Sequence, residues 1–183
     1  MKTKLTMLVV ALLLVPTVGC VWSLHPLYTQ EDAVFEPGLV GVWASTEAMA
    51  IVKAAGDKSY GITYVDTSED SSGKYRGRLV RLGDTLFLDL VPEGDELRQA
   101  KSSGLLATHL FFRLTLQEDT VRVEMVEDEL LESVDTGQLR HEKLPDRYLT
   151  LLTASSSEIR AWLQQHAQNP QLYSDTLELQ RVK

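Results

Sequence analysis

Between Tyr75 and Leu90 the chain alternates apolar and polar residues around Gly83-Asp84, and this stretch alone commits it to paired β-strands. A period of two places every second side chain on the same face of a strand. Gly83 readily takes the positive φ that a two-residue hairpin turn demands. Closing the chain there pairs Leu79 with Leu88, Val80 with Phe87 and Arg78 with Asp89. Leu79, Leu86, Leu88 and Leu90 then share one face, the expected buried side. Arg76, Arg78, Val80, Phe87 and Asp89 share the other, and the opposed charges of Arg78 and Asp89 favour this register.

A second hairpin repeats the logic. Leu110, Phe112, Leu114 and Leu116 alternate with His109, Phe111, Arg113 and Thr115. Beyond a turn at Gln117-Glu118-Asp119, Val121, Val123 and Met125 alternate with Arg122 and Glu124. One apolar and one mixed face is the pattern of an antiparallel sheet with one side on a core. Leu39–Trp43, Ala48–Ala54 and Tyr60–Asp66 read as shorter strands, Asp66–Gly73 as a polar loop and Gly94–Gly104 as a crossover. Two helices interrupt the strands. One is expected over 127–134, its acidic start suiting the positive end of the helix dipole. The other is expected over 156–168, where Ser155 and Glu158 form a capping box and Ile159, Trp162, Leu163 and His166 make one stripe. Strands at Tyr148–Leu152 and Thr176–Val182 flank it. The fold class is therefore mainly β, a single antiparallel meander or barrel over residues 39–183.

The amino terminus carries an address. Lys2 and Lys4 precede an apolar run from Leu5 to Val15, broken by Pro16, and Thr17-Val18-Gly19 leads to Cys20, the only cysteine. The run is about half the roughly 20 residues a membrane span needs, so it reads as the h-region of a signal peptide over 1–19. The segment resembles a lipobox, although Thr17 stands where such boxes prefer Leu. That resemblance implies acylation of Cys20 and attachment to the membrane of a bacterial envelope through the acyl chains. Val21, in place of an Asp after the cysteine, implies the outer membrane. An ordinary secretory signal beside a stray cysteine is the alternative. Residues 20–38 are expected to form a tether and lead-in segment, with Pro26 and Pro37 keeping it extended and Phe35 packed on the domain. Ser23-Leu-His-Pro-Leu-Tyr28 and Leu152-Thr-Ala-Ser155 resemble segments of small bacterial lipoproteins of unknown function.

Removing residues 1–19 leaves 164 of 183 residues, one domain's worth, and takes Lys2 and Lys4 with it, moving the formal net charge from −8 to −10. So acidic a domain repels nucleic acid and anionic lipid, and no nucleic-acid partner is expected. With one thiol there is no disulfide framework, so the hydrophobic core carries the fold.

Chemistry is sparse. There is no G-x-S-x-G elbow, P-loop, H-E-x-x-H or dinucleotide fingerprint. His25, His109, His141 and His166 match no zinc spacing, and Asp66, Glu69 and Asp70 lack the alternation of a calcium loop. Ser155–Ser157 is accounted for as a helix cap. No cofactor, metal or catalytic activity is expected. Gly41-x-Trp43, opening the strand-rich region, resembles the G-x-W motif of lipocalins and related calycin barrels. That resemblance implies a calycin-like barrel in which Trp43 plugs one end beneath an arginine of a late strand, here Arg181. For function the sequence favours the first of two roles, with the second as its alternative. The first is a structural or protein-interaction role in the envelope, predicting a filled core and exposed apolar surface near 22–35. The second is binding of a small apolar ligand or lipid in a cavity lined by Leu86, Leu88, His109, Phe112 and Leu114. If the lipobox operates, Cys20→Ser should abolish palmitate labelling and release the protein from membranes; unchanged labelling would exclude it.

Overall fold

The computed structural model describes residues 20–68, 70–94, 107–128, 131, 138–144 and 149–183. In chain order the strands are β1 (Cys20–Ser23), β2 (Ala33–Val34), β3 (Gly41–Ala44), β4 (Ala48–Ala54), β5 (Ser59–Asp66), β6 (Ser71–Leu82), β7 (Thr85–Pro92), β8 (His109–Leu116), β9 (Thr120–Val126), β10 (His141–Leu144) and β11 (Leu149–Leu152). Helix α1 (Ser156–His166) and strand β12 (Tyr173–Arg181) complete the order. Strands β3 to β9 pair each with the next, β9 pairs with β12, and β12 returns to β3. The result is a closed, antiparallel, eight-stranded barrel with one helix before its last strand, a calycin-like architecture.

Local sequence explains the walls. Gly83 takes φ +59° at the β6–β7 turn, and the register is the expected one: Arg78 opposite Asp89, Leu79 opposite Leu88, Val80 opposite Phe87. In the β8–β9 hairpin Leu116 faces Val121, Leu114 faces Val123 and Phe112 faces Met125. The polar loop expected over Asp66–Gly73 is shorter, since β6 already begins at Ser71. Asp66 Oδ1 accepts from the Ser68 amide at 2.9 Å and from its hydroxyl at 2.6 Å, an Asx-type reversal needing few residues. Most of the Gly94–Gly104 crossover lies outside the described residues, as does most of the 127–134 segment. Within the latter, Glu127 continues β pairing, its amide donating to Leu172 O at 3.0 Å, while Leu131 is helical and buried.

Strand alternation divides the apolar residues between two cores. Inward-facing side chains form the lumen core, with Trp43, Tyr60, Leu79, Leu88 and Leu114 among them. Val80, Leu82, Phe87 and Phe111 face outward and are covered by α1 through Ile159, Trp162 and Leu163. The helix starts as expected: Ser155 Oγ accepts from the Glu158 amide at 3.4 Å, and Glu158 Oε2 accepts from the Ser155 amide at 2.8 Å. The Ser155 hydroxyl, donating to the same carboxylate at 2.6 Å, together with the Ser155 amide and then Arg140, holds the exposed Glu158 carboxyl down to about 2. Among the described residues no helix is long and apolar enough to cross a membrane.

The tether expected after Cys20 is instead a strand at its start. β1 pairs in parallel with β11, Cys20 opposite Leu149 through Ser23 opposite Leu152, and antiparallel with β8 at Trp22–Leu110 and Ser23–His109. β10 pairs beyond β11, so β1, β11 and β10 form a three-stranded flap hung on the first residues of β8. Farther on, the lead-in does lie on the barrel. Phe35 stacks on Tyr60 with centroids 5.0 Å apart, although it stays 38% exposed.

On the outer wall Arg113 clamps Glu124 through two bonds of 2.7 Å across β8 and β9 and lies 3.8 Å from the Tyr173 ring. The Arg113 bonds hold the Glu124 carboxyl below its ordinary 4.5. A lowered carboxylate stabilises the fold above that pH and loses its contribution as pH falls below it. Glu124→Gln should therefore destabilise the protein at neutral pH and flatten its acid limb. Denaturant unfolding at neutral pH and at roughly pH 3 checks this; equal acid sensitivity in both proteins would exclude it. Phe87→Ala, which removes a fully buried ring between barrel and helix, should cost about 3–5 kcal/mol in the same assay.

Candidate functional site

The lumen is partly hollow. A cavity of about 290 Å³ occupies its middle and upper part. Its floor is made by Leu39, Trp43 and Leu179, its belt by Ala50, Ile62, Leu88 and Phe112, and its mouth by Tyr64, Tyr75, Leu90 and Leu110. No charged or amide side chain lines it among the described residues. Eight strands give an interior just wide enough to be filled or to hold one small ligand, so the inward side chains decide which occurs. Toward the floor they are large: Trp43, Tyr60, Leu79 and Leu86. Higher up, Ala50 and Val52 are small, and Gly77 presents no side chain to the lumen. A Cβ built on Gly77 would come within 2.9 Å of Ile62 Cδ1 and 3.1 Å of both Leu88 Cδ1 and Leu90 Cδ2. The taper is written in residue size.

The closed end is held by polar bonds around an aromatic ring. Trp43 is fully buried, and its Nε1 donates to Leu39 O at 2.9 Å. Arg181 Cζ lies 4.1 Å from the Trp43 ring, within cation–π range. The Arg181 guanidinium also donates to the carbonyls of Val40 at 3.2 Å, Glu118 at 3.3 Å and Gly38. Gly41 makes room for it: a Cβ there would lie 2.6 Å from Arg181 Nη1, on a backbone with φ +154°. The geometry thus brings Trp43 and Arg181 together.

Of the residues expected to line a pocket, Leu88, Phe112 and Leu114 do. Leu86 does not line this cavity: it sits one inward position lower on β7, where large side chains fill the barrel, and borders a separate, polar pocket with Arg81, Thr85 and Arg113. His109 does not either, and alternation is the reason. Leu110 and Phe112 point inward, so His109 points out with Phe111 and Arg113. Its Nδ1 lies 2.7 Å from Asp89 Oδ1, and the other oxygen of that buried carboxylate accepts from the Leu27 amide at 2.7 Å. Tyr28 follows, its ring 4.7 Å from Arg78 Cζ and edge-on to His109. The Asp89–His109 pair thereby fastens the lead-in segment to the wall. The sequence offered a signal for it, in the placement of Asp89 and His109 on the outer faces of neighbouring strands, but none for Leu27.

The remaining chemistry-bearing groups, His25 apart, have structural partners. His141 Nδ1 lies 2.7 Å from Leu139 O, His166 Nδ1 2.8 Å from Trp162 O, and His25 is exposed. Ser155 is engaged in the helix cap. Among the described residues no three His, Cys, Asp or Glu side chains gather as metal ligands.

No protein-family model matches this chain, and neither a curated protein nor a solved structure does. Fold and cavity define its class by themselves: a calycin-like barrel, hollow above a Trp–Arg plug. Arg181→Met should lower stability by about 1–2 kcal/mol through loss of the ring contact and carbonyl bonds, and shift Trp43 emission. Unfolding followed by tryptophan fluorescence checks both; wild-type stability and emission would show that the plug contributes nothing.

Proposed function

We propose that the protein is a binding module of the bacterial envelope, anchored through acyl chains on Cys20, that holds one small apolar ligand in the barrel lumen. The cavity carries the reading. At about 290 Å³ it lies at the lower end of ligand-pocket sizes, and its apolar lining suits a slender hydrocarbon better than a polar metabolite. Each methylene transferred from water gains about 0.8 kcal/mol, so a short chain suffices for useful affinity. Tyr64 and Tyr75 stand at the mouth, where a polar head would meet water. The role is binding rather than catalysis: Ser155 and the three histidines with partners serve the fold.

The anchor rests on the lipobox resemblance, and outer-membrane residence on Val21 after the cysteine. A structural or protein-interaction role has its own support in the exposed Phe35 and in Leu144 on β10, the outermost strand of the flap. The hollow lumen favours the binding role, because a purely structural barrel gains by filling it.

Native mass spectrometry of the full chain released from detergent tests this. The expected result is a co-purifying apolar adduct that is lost in Ala50→Phe, whose ring would occupy the lumen between Trp43 and Tyr64, the residues paired with Ala50 across β3 and β5. Uptake of the fluorescent probe anilinonaphthalene sulfonate should fall several-fold in the same variant. An adduct-free mass across preparations, with probe uptake unaffected by Ala50→Phe, would overturn the reading.

A further inference from the structure

We infer that one face of the β1–β11–β10 flap is a membrane-docking surface that rests on the lipid bilayer and continues into the barrel lumen. The register assigns the face. Trp22 pairs with Leu110 of β8 on one side and with Leu151 of β11 on the other, and aligned residues of paired strands share a face. Leu149 lies two residues before Leu151 in β11 and pairs with Leu144 of β10. The face therefore runs Leu110, Trp22 and Leu151, with Leu149 and Leu144 beside them. Leu110 already lines the cavity.

The opposite face of the same three strands is buried except at Lys143, exposed on the outermost strand. Val21, Ser23, Thr150, Leu152 and His141 are all among the buried residues, with Val21 and Leu152 in the core beneath α1. Trp22, Leu149 and Leu151 are only partly exposed, Leu144 is 38% exposed, and none of the four belongs to either apolar core. Glu142 stands at the rim of the face, opposite Leu151.

Two observations identify the occupant as a bilayer. The chain enters the fold at this sheet, since β1 begins at Cys20. With Cys20 acylated as proposed above, the acyl chains start at the edge of this sheet, and the inference rests on that anchor. Second, the face continues into the lumen at Leu110, where β8 leaves β9 and turns to β1. A bilayer held there would supply apolar molecules to the cavity without passage through water. The formal net charge of −8 points to uncharged lipid as the surface. Trp and Leu are suited to the interface between headgroups and acyl chains.

The test uses the full chain reconstituted on phosphatidylcholine vesicles whose acyl chains are brominated, a short-range quencher of tryptophan. Trp43 and Trp162 are buried in the two cores, at 0% and 7% exposure, so quenching should fall on Trp22. Emission is expected to drop relative to unbrominated vesicles, and Trp22→Phe should remove the drop. Leu144→Glu, at a position already exposed on the outermost strand, should cut quenching roughly twofold or more while the amino terminus still holds the protein on vesicles. Quenching that persists in Trp22→Phe, or its absence from vesicle-bound protein, would overturn the inference. So would a concentration-dependent dimer that shields Trp22 from aqueous acrylamide, which would assign the face to a second copy.

Discussion

The barrel closes through its shortest seam. β12 meets β3 at two residue pairs, Gln180 with Ala44 and Arg181 with Trp43, whereas β4 meets β5 over seven and β5 meets β6 over eight. So short a ladder has few backbone bonds to hold it, and Arg181 supplies what is missing. Its guanidinium covers the Trp43 ring and binds carbonyls of the turn before β3 and of the β8–β9 turn. One side chain thus draws together three places on the rim. Without closure the inward leucines of β6 to β8 would face an open cleft, and an apolar cavity with a floor could not exist.

The other constraint is that β6, β7 and β8 are apolar on both faces over part of their length. Leu79, Leu88 and Leu114 fill the lumen, while Val80, Phe87 and Phe111 need a cover outside it. Helix α1 and the lead-in segment supply that cover. This explains why a small barrel carries a flap and a strapped amino terminus: the wall has more apolar surface than its lumen can absorb. The Asp89 carboxylate, buried under Leu27, is the polar pin in that cover, satisfied by His109 and a backbone amide.

Much of this was legible because it is local. Period-two alternation, Gly83 and the Ser155–Glu158 spacing act within a few residues, and the hairpin registers and helix start follow from them. Trp43 with Arg181 was legible through a resemblance rather than through physics, since nothing in residues 39–43 says what will lie above the indole. Two errors have different origins. Placing His109 in the pocket overlooked the alternation already used for Leu110 and Phe112. Placing Leu86 there overlooked depth: sequence gives the side of a strand, whereas the height of the filled zone depends on Trp43, Tyr60 and Leu79 coming together from different strands. The flap was out of reach, because β1 finds β11 across most of the chain and its four residues look like the start of a linker.

That distant pairing has a consequence in time. A strand near the start of the chain is ordinarily among the first available to fold, yet β1 has to wait for β11, which is synthesised near the end of the chain. Long-range parallel pairing of this kind is slow to form. The barrel staves from β3 to β9 can assemble while residues 20–23 stay free, and those residues are then the last length of wall to be fitted. The fold thus leaves residues 20–23 unpaired until its final strands have arrived.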